Sequence, residues 1–180
     1  MSSDNSRIVV VDEWNGKYVI NDAYRPIAEA LVCKFEELKH VPVKAILFID
    51  NTEGTGKSMN KIKYAQIGKV PEKWQEIIYQ VTGRTFQYFM EIFKRNIREM
   101  SREQIIALVY HELRHIDYDG GLKHHDIEDW SEMVYGLGLN WSSTKTVIPD
   151  LLAEGIDWSN INEMGQQKLF KDNRTLRVIK

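Results

Sequence analysis

Residues His111-Glu112-Leu113-Arg114-His115 set the tightest limit on how this chain can fold. Two histidines four positions apart share one helix face, roughly 6 Å apart along the axis. At that separation two imidazoles reach a single zinc ion, and the glutamate beside them can activate a metal-bound water. Ordinary residue usage yields such a string in roughly one unrelated chain of this size in a few hundred. The pattern therefore points to a zinc-dependent hydrolase, with a peptidase as its first form.

The flanking residues make the string helical. Ser101-Arg102-Glu103-Gln104 reads as a capping box that starts a helix. Ile105, Val109, Leu113 and Ile116 form an apolar stripe that faces a core. At about 100° per residue, His111 and His115 fall to one side of that stripe, and Glu112 falls between them and the core. Partial desolvation there raises the basicity of the carboxylate. Tyr110, Arg114 and Asp117 fall on the opposite face, expected to be exposed.

Catalytic zinc takes three protein ligands and keeps one position open for water. Asp119-Gly120-Gly121 reads as the helix break that turns the chain back, and Lys123-His124-His125-Asp126 follows it. His125 is the favoured third ligand, then His124, then Asp126. Asp126 also reads as the N-cap of a further helix with Ile127, Trp130, Val134 and Leu137 on its apolar face. Asp126 and Asp129 are candidates to orient a ligand imidazole; both also read as helix-start charges, and for Asp129 that reading comes first.

Upstream, Pro26 to Leu38 carries helical spacing, ended by Val41-Pro42, and Lys44 to Asp50 reads as a buried strand. Gly54, Gly56, Lys57 and Ser58 suggest a phosphate loop, but the position that needs its first glycine holds Asn51, so a polar turn is expected. Ile62 to Val70 reads as another strand and Trp74 to Tyr79 as a short helical stretch. Thr85 to Phe93 alternates as a main strand with Phe86, Tyr88, Met90 and Ile92 on one face. Ile8 to Val11 suggests a short peripheral strand, and Leu176 to Ile179 another at the far end.

Composition narrows the partners. A formal net charge of −2 gives no electrostatic reason to expect nucleic acid. No apolar run has the length of a membrane span, and the first residues lack a basic region followed by an apolar core. Cys33 is the single cysteine, which excludes an internal disulfide, fits a reducing cytoplasm, and reads as a small core residue.

The segments LVYHELRHI (Leu108 to Ile116), HHDIEDW (His124 to Trp130) and Tyr135, Gly136 and Trp141 resemble the phage metallopeptidases, zincin-like proteins encoded by bacteriophages and prophages. The resemblance covers roughly residues 25 to 155. It implies a site of His111, Glu112, His115 and His125 with Asp126 following, and action in the host cytoplasm. The adjacent pair His124-His125 departs from the family pattern at the third ligand.

The expectation is an α+β, zincin-like domain with a small mixed β-sheet and an HExxH-bearing helix. Residues 1–20 form an arm or short strand, 21–157 the domain, and 158–180 a polar tail. Zn2+ is the expected cofactor and a peptide or protein the expected substrate. Phe86 to Phe93 is the strand expected to lie exposed beside the metal, and Tyr110, Arg114, Tyr118 and Tyr135 are candidates to stabilise an oxyanion. The alternative is a catalytically silent binding protein on the same scaffold, holding a structural metal and acting on a host protein.

Overall fold

A computed structural model describes residues 16–58, 61–125 and 129–161. The elements follow in the order β1 (Tyr18–Ile20), α1 (Arg25–Lys34), β2 (Ile46–Asn51), β3 (Lys57–Ser58), β4 (Lys61–Ile62), β5 (Ala65–Lys69), α2 (Glu72–Thr82), β6 (Tyr88–Phe93), α3 (Lys94–Ile97), α4 (Arg102–Leu113) and α5 (Ser131–Leu137). β3 and β4 form a separate two-stranded ribbon. The other strands form a mixed sheet in the order β1-β2-β6-β5, with β2 and β6 parallel and the outer pairs antiparallel. This is the α+β class that the sequence pattern indicated.

Alternation along the strands decides which face packs. Ile46, Phe48, Tyr88, Met90 and Ile92 are buried, in the registers Ile46↔Tyr88 and Phe48↔Met90. They join Leu31 of α1, Leu113 of α4 and Met133 of α5 in one core. The opposite face carries Leu47, Ile49 and Phe89 and, at one end, a polar cluster across three strands. Glu91 on β6 accepts from Asn51 Nδ2 on β2 and from Gln66 Nε2 on β5, both at 2.6 Å.

Several expectations are corrected. The Phe86 to Phe93 segment is not exposed beside the site: β6 lies between β2 and β5, with both of its edges paired. Among the described residues the outer strands of the sheet are β1 and β5, and β5 is the one beside the site. Cys33 is exposed rather than in the core. Trp158 and Ile161, placed by composition in a polar tail, are packed: Trp158 lies against Phe35 and Tyr110, and Ile161 is buried. Trp74 to Tyr79 belongs to a longer helix, α2, that has no buried residue. The strands suggested at Ile8 to Val11 and Leu176 to Ile179 lie outside the described residues.

Helix α4 is the centre of the fold. Ser101 caps it as expected, with Ser101 Oγ accepting from the Gln104 backbone N–H and Gln104 Oε1 accepting from the Ser101 N–H. The Gln104 amide then donates to the carbonyls of Trp141 and Ser143 at 2.9 and 2.6 Å. One side chain thus ties the helix start to the segment that closes the site. Tyr110, expected to face solvent, is fully buried. Phe35 meets it edge-on at 5.0 Å, and its hydroxyl donates to Glu37. The apolar stripe was read one-sided, but α1 and the residues around Trp158 cover the second side.

Helix α4 ends at Leu113, earlier than the Asp119-Gly120-Gly121 break suggested. A bridge between Ile116 and Leu122 closes a small hairpin, with Asp117 N–H donating to the Gly121 carbonyl at 3.0 Å. Gly120 has φ +76°, a left-handed conformation suited to glycine, and its carbonyl accepts from the Tyr88 hydroxyl at 2.8 Å. Helix α5 starts at Ser131 with Trp130 at its N-cap, not at Asp126. Asp126 and Ile127 lie outside the described residues. Among the described residues no helix is long and apolar enough to cross a membrane.

Gln104 should therefore carry more stability than its cap partner. In urea unfolding, Ser101→Ala should cost about 1 kcal/mol. Gln104→Met, which leaves two inward carbonyls without a donor, should cost about 2–3 kcal/mol with an unchanged slope.

Candidate metal centre

The hairpin after α4 assembles the centre. His111 lies in the last turn of the helix, His115 in the turn just after it, and the segment returning from the hairpin carries His125. One ring nitrogen from each of His111, His115 and His125 lies within 4.8 Å of the other two. His111 Nε2 and His125 Nε2 are 2.9 Å apart. Three nitrogens on one tetrahedral zinc ion, each about 2.1 Å from it, stand about 3.4 Å apart, so small side-chain shifts bring these three onto one ion. His124, the second-ranked ligand, is exposed at the cavity mouth and outside this group. Asp126, the third, lies outside the described residues.

The outer nitrogens of two imidazoles have partners that fix the ligand atom. His115 Nδ1 lies 2.8 Å from the Lys123 carbonyl, so it donates there and leaves Nε2 bare. His111 Nδ1 lies 2.8 Å from Asp129 Oδ1, at an angle short of a well-aligned hydrogen bond. Asp129 also accepts from the Trp130 backbone N–H and from Trp141 Nε1, both at 2.7 Å. Asp129 thus stands against the His111 imidazole and also at the start of α5, whose N-cap is Trp130. The donor set fits a metal, and it fits zinc by ligand type and number.

Trp130, expected on the apolar face of the following helix, packs against the histidines instead, and Trp141 lines the cavity. Trp130 is buried, with its ring 5.0–6.3 Å from those of all three histidines, and its Nε1 donates to the His111 carbonyl at 2.9 Å. The Arg114 guanidinium covers the same ring at 5.0 Å and pairs with Glu132. A tryptophan just past the ligand segment was the available sequence signal. The Lys123 contact is made by backbone and leaves no signal in residue type.

Electrostatics follow the burial. Burial pushes the His115 imidazole down to about 4, helped by the neighbouring histidines, so it is neutral and ready to ligate at physiological pH. For His111 burial acts downward too, but Asp129 and Glu112 outweigh it and hold the imidazole above its ordinary value. Burial opposes the charge of Asp129, yet the His111 contact and the two tryptophan N–H groups keep it below the usual carboxylate range. Glu112 is 5% exposed, and burial raises its carboxyl against the opposing influence of His111, Lys63 and the Ile67 backbone amide.

All of these groups open onto a cavity of about 740 Å³ that runs beneath the free edge of β5. None of the four oxyanion candidates lines it. Tyr110 is bound to Glu37 in the core and Arg114 to Glu132, while Tyr118 stacks on His40 and Tyr135 faces solvent.

A family model described as "Putative phage metallopeptidase" matches residues 16–153. No curated protein and no solved structure matches the chain.

Protein purified without a histidine tag should carry about one metal ion per chain by elemental analysis. His111→Ala, His115→Ala and His125→Ala should each lose it, whereas His124→Ala should retain it. Asp129→Asn should weaken metal affinity by about 10–100-fold while leaving the fold intact.

Proposed function

We propose, since this chain belongs to the phage metallopeptidase family, that it is a zinc-dependent peptidase with His111, His115 and His125 as metal ligands and Glu112 as general base. The observation that carries this reading is the convergence of three histidine nitrogens within 4.8 Å beside a buried glutamate, at the head of an open cavity. Zinc held there would polarise a scissile carbonyl and lower the pKa of a coordinated water. Glu112 then takes a proton from the attacking water and returns it to the leaving amine. Its raised proton affinity suits both transfers.

The free edge of β5 supplies a place for the substrate. Phe93 N–H donates to the Tyr64 carbonyl and Val70 N–H to the Gln87 carbonyl. Alternation along an antiparallel pair then directs the backbone groups of Ala65 and Ile67 away from β6. The Ile67 amide is turned to the Glu112 carboxylate, so an extended peptide can add as a further strand to the remaining outward groups of Ala65 and Ile67. The substrate class is therefore a peptide or an unfolded segment, and the setting is the cytoplasm of the phage host.

The alternative, a silent scaffold with a structural metal, calls for a fourth protein ligand. His124 was the residue to supply it, and its place outside the histidine group favours an open position instead.

Glu112→Gln should keep full metal content and lower hydrolysis of a quenched fluorescent peptide pool by about 10²–10⁴-fold. Wild-type activity in that variant would remove Glu112 from the chemistry. Full activity after metal removal by 1,10-phenanthroline would remove the metal as well.

A further inference from the structure

Hydrolysis of a peptide bond gathers negative charge on the carbonyl oxygen, and a donor aimed at that oxygen is commonly the largest protein contribution to the rate. With the four tyrosine and arginine candidates outside the cavity, the donors in its lining include Lys63, Tyr64, Lys123, His124 and Ser142, and a cation among them opposes the developing charge most strongly. We propose that Lys63 is a catalytic residue of this site, its ammonium donating to the carbonyl oxygen of the scissile peptide as charge develops there. This rests on the peptidase reading above.

The cationic side chains lining the cavity among the described residues are Lys63 and Lys123, with the His124 imidazole at the mouth. Lys123 is engaged elsewhere: its ammonium lies over the Trp130 ring at 5.5 Å. Lys63 is held from three directions. Its N–H donates to the Gly56 carbonyl at 2.8 Å, and its own carbonyl accepts from Asn96 Nδ2 at 2.7 Å. Its Nζ donates to Gln66 Oε1 at 2.8 Å, and Gln66 is braced in turn by Glu91. A lysine ammonium has three donors, so this contact leaves two for a ligand.

Position supports the assignment. Lys63 stands just before the free strand β5, so a peptide laid along Ala65 and Ile67 passes it. It is half-buried, where an ammonium interacts more strongly than in open water. It lines the same cavity as Glu112, His111, His115 and His125.

The step balances without a proton leaving Lys63. Water oxygen bonds to the carbonyl carbon, its proton passes to Glu112, and the tetrahedral carbon sheds the amine that Glu112 protonates. The Lys63 ammonium donates a hydrogen bond throughout and remains an ammonium.

The test uses the full zinc-loaded chain and phosphinic peptides, in which a tetrahedral anion replaces the scissile bond, with N-acetyl and C-amide ends. Leucine and alanine side chains flank the phosphorus, because Ile62, Leu122 and Leu139 are exposed apolar residues on the cavity wall. By calorimetry Lys63→Met should bind these peptides about 10²-fold more weakly than wild type, and Lys63→Arg should recover most of that loss. Metal content and melting temperature should be unchanged in both variants. Equal binding by wild type and Lys63→Met would overturn the assignment while leaving the peptidase reading standing. A loss seen only with free-carboxylate versions of the peptides would overturn it too, making Lys63 a carboxylate anchor. Zinc-loaded wild type that binds none of the panel would overturn the peptidase reading, and this inference with it.

Discussion

The hairpin from Ile116 to Leu122 adds a third histidine to the two at the end of α4 and in the turn after it. Its bridge sets the register of the returning segment. That register brings the Lys123 carbonyl onto His115 Nδ1 and carries His125 to within 2.9 Å of His111. A proton on one of the two Nε2 atoms lets them share a hydrogen bond at that distance, and a metal ion can take the place of that proton. The Tyr88 hydroxyl on the Gly120 carbonyl ties the hairpin tip back to the central strand. The geometry of the site is thereby set by the sheet as well as by the helix.

A second tie works from the other end of α4. Gln104 belongs to the cap, yet its amide nitrogen binds the Trp141 and Ser143 carbonyls. The Trp141 indole in turn holds Asp129 against His111. Helix start, closing segment and ligand orientation are thus one hydrogen-bonded chain that begins two turns before His111 on the same helix. Such a network fixes one arrangement because each buried polar group in it would be costly to leave without its partner.

Legibility in the sequence tracked the range of the interaction. The capping box at Ser101, the buried alternation of Tyr88, Met90 and Ile92, and the helical placement of His111 all follow from local periods, and each appears where the spacing put it. The strand order did not follow. Alternation reports one buried face and says nothing of edges, so Phe86 to Phe93 read as exposed although β5 covers that side. Tyr110 failed for a related reason, since a stripe drawn on one helix does not count the neighbours that bury its back. At the site, His125 was the favoured third ligand and lies with His111 and His115, but nothing local distinguished it from His124. A return of the chain decided that, and its register depends on a long-range bridge.

The same contrast explains why Glu112 and the histidines differ in their response to burial. All lie in one low-dielectric pocket, yet burial lowers the proton affinity of His115 and raises that of Glu112, because it disfavours whichever form is charged. A neutral imidazole is the form that ligates, and a carboxylate of raised basicity is the form that accepts a proton from water. A single physical effect therefore moves both groups toward the chemistry a hydrolase needs. His111 stands apart because Asp129 outweighs its burial. The carboxylate that raises its proton affinity also raises its strength as a metal ligand, so the second effect supports a bound cation where the first alone would leave only a neutral donor.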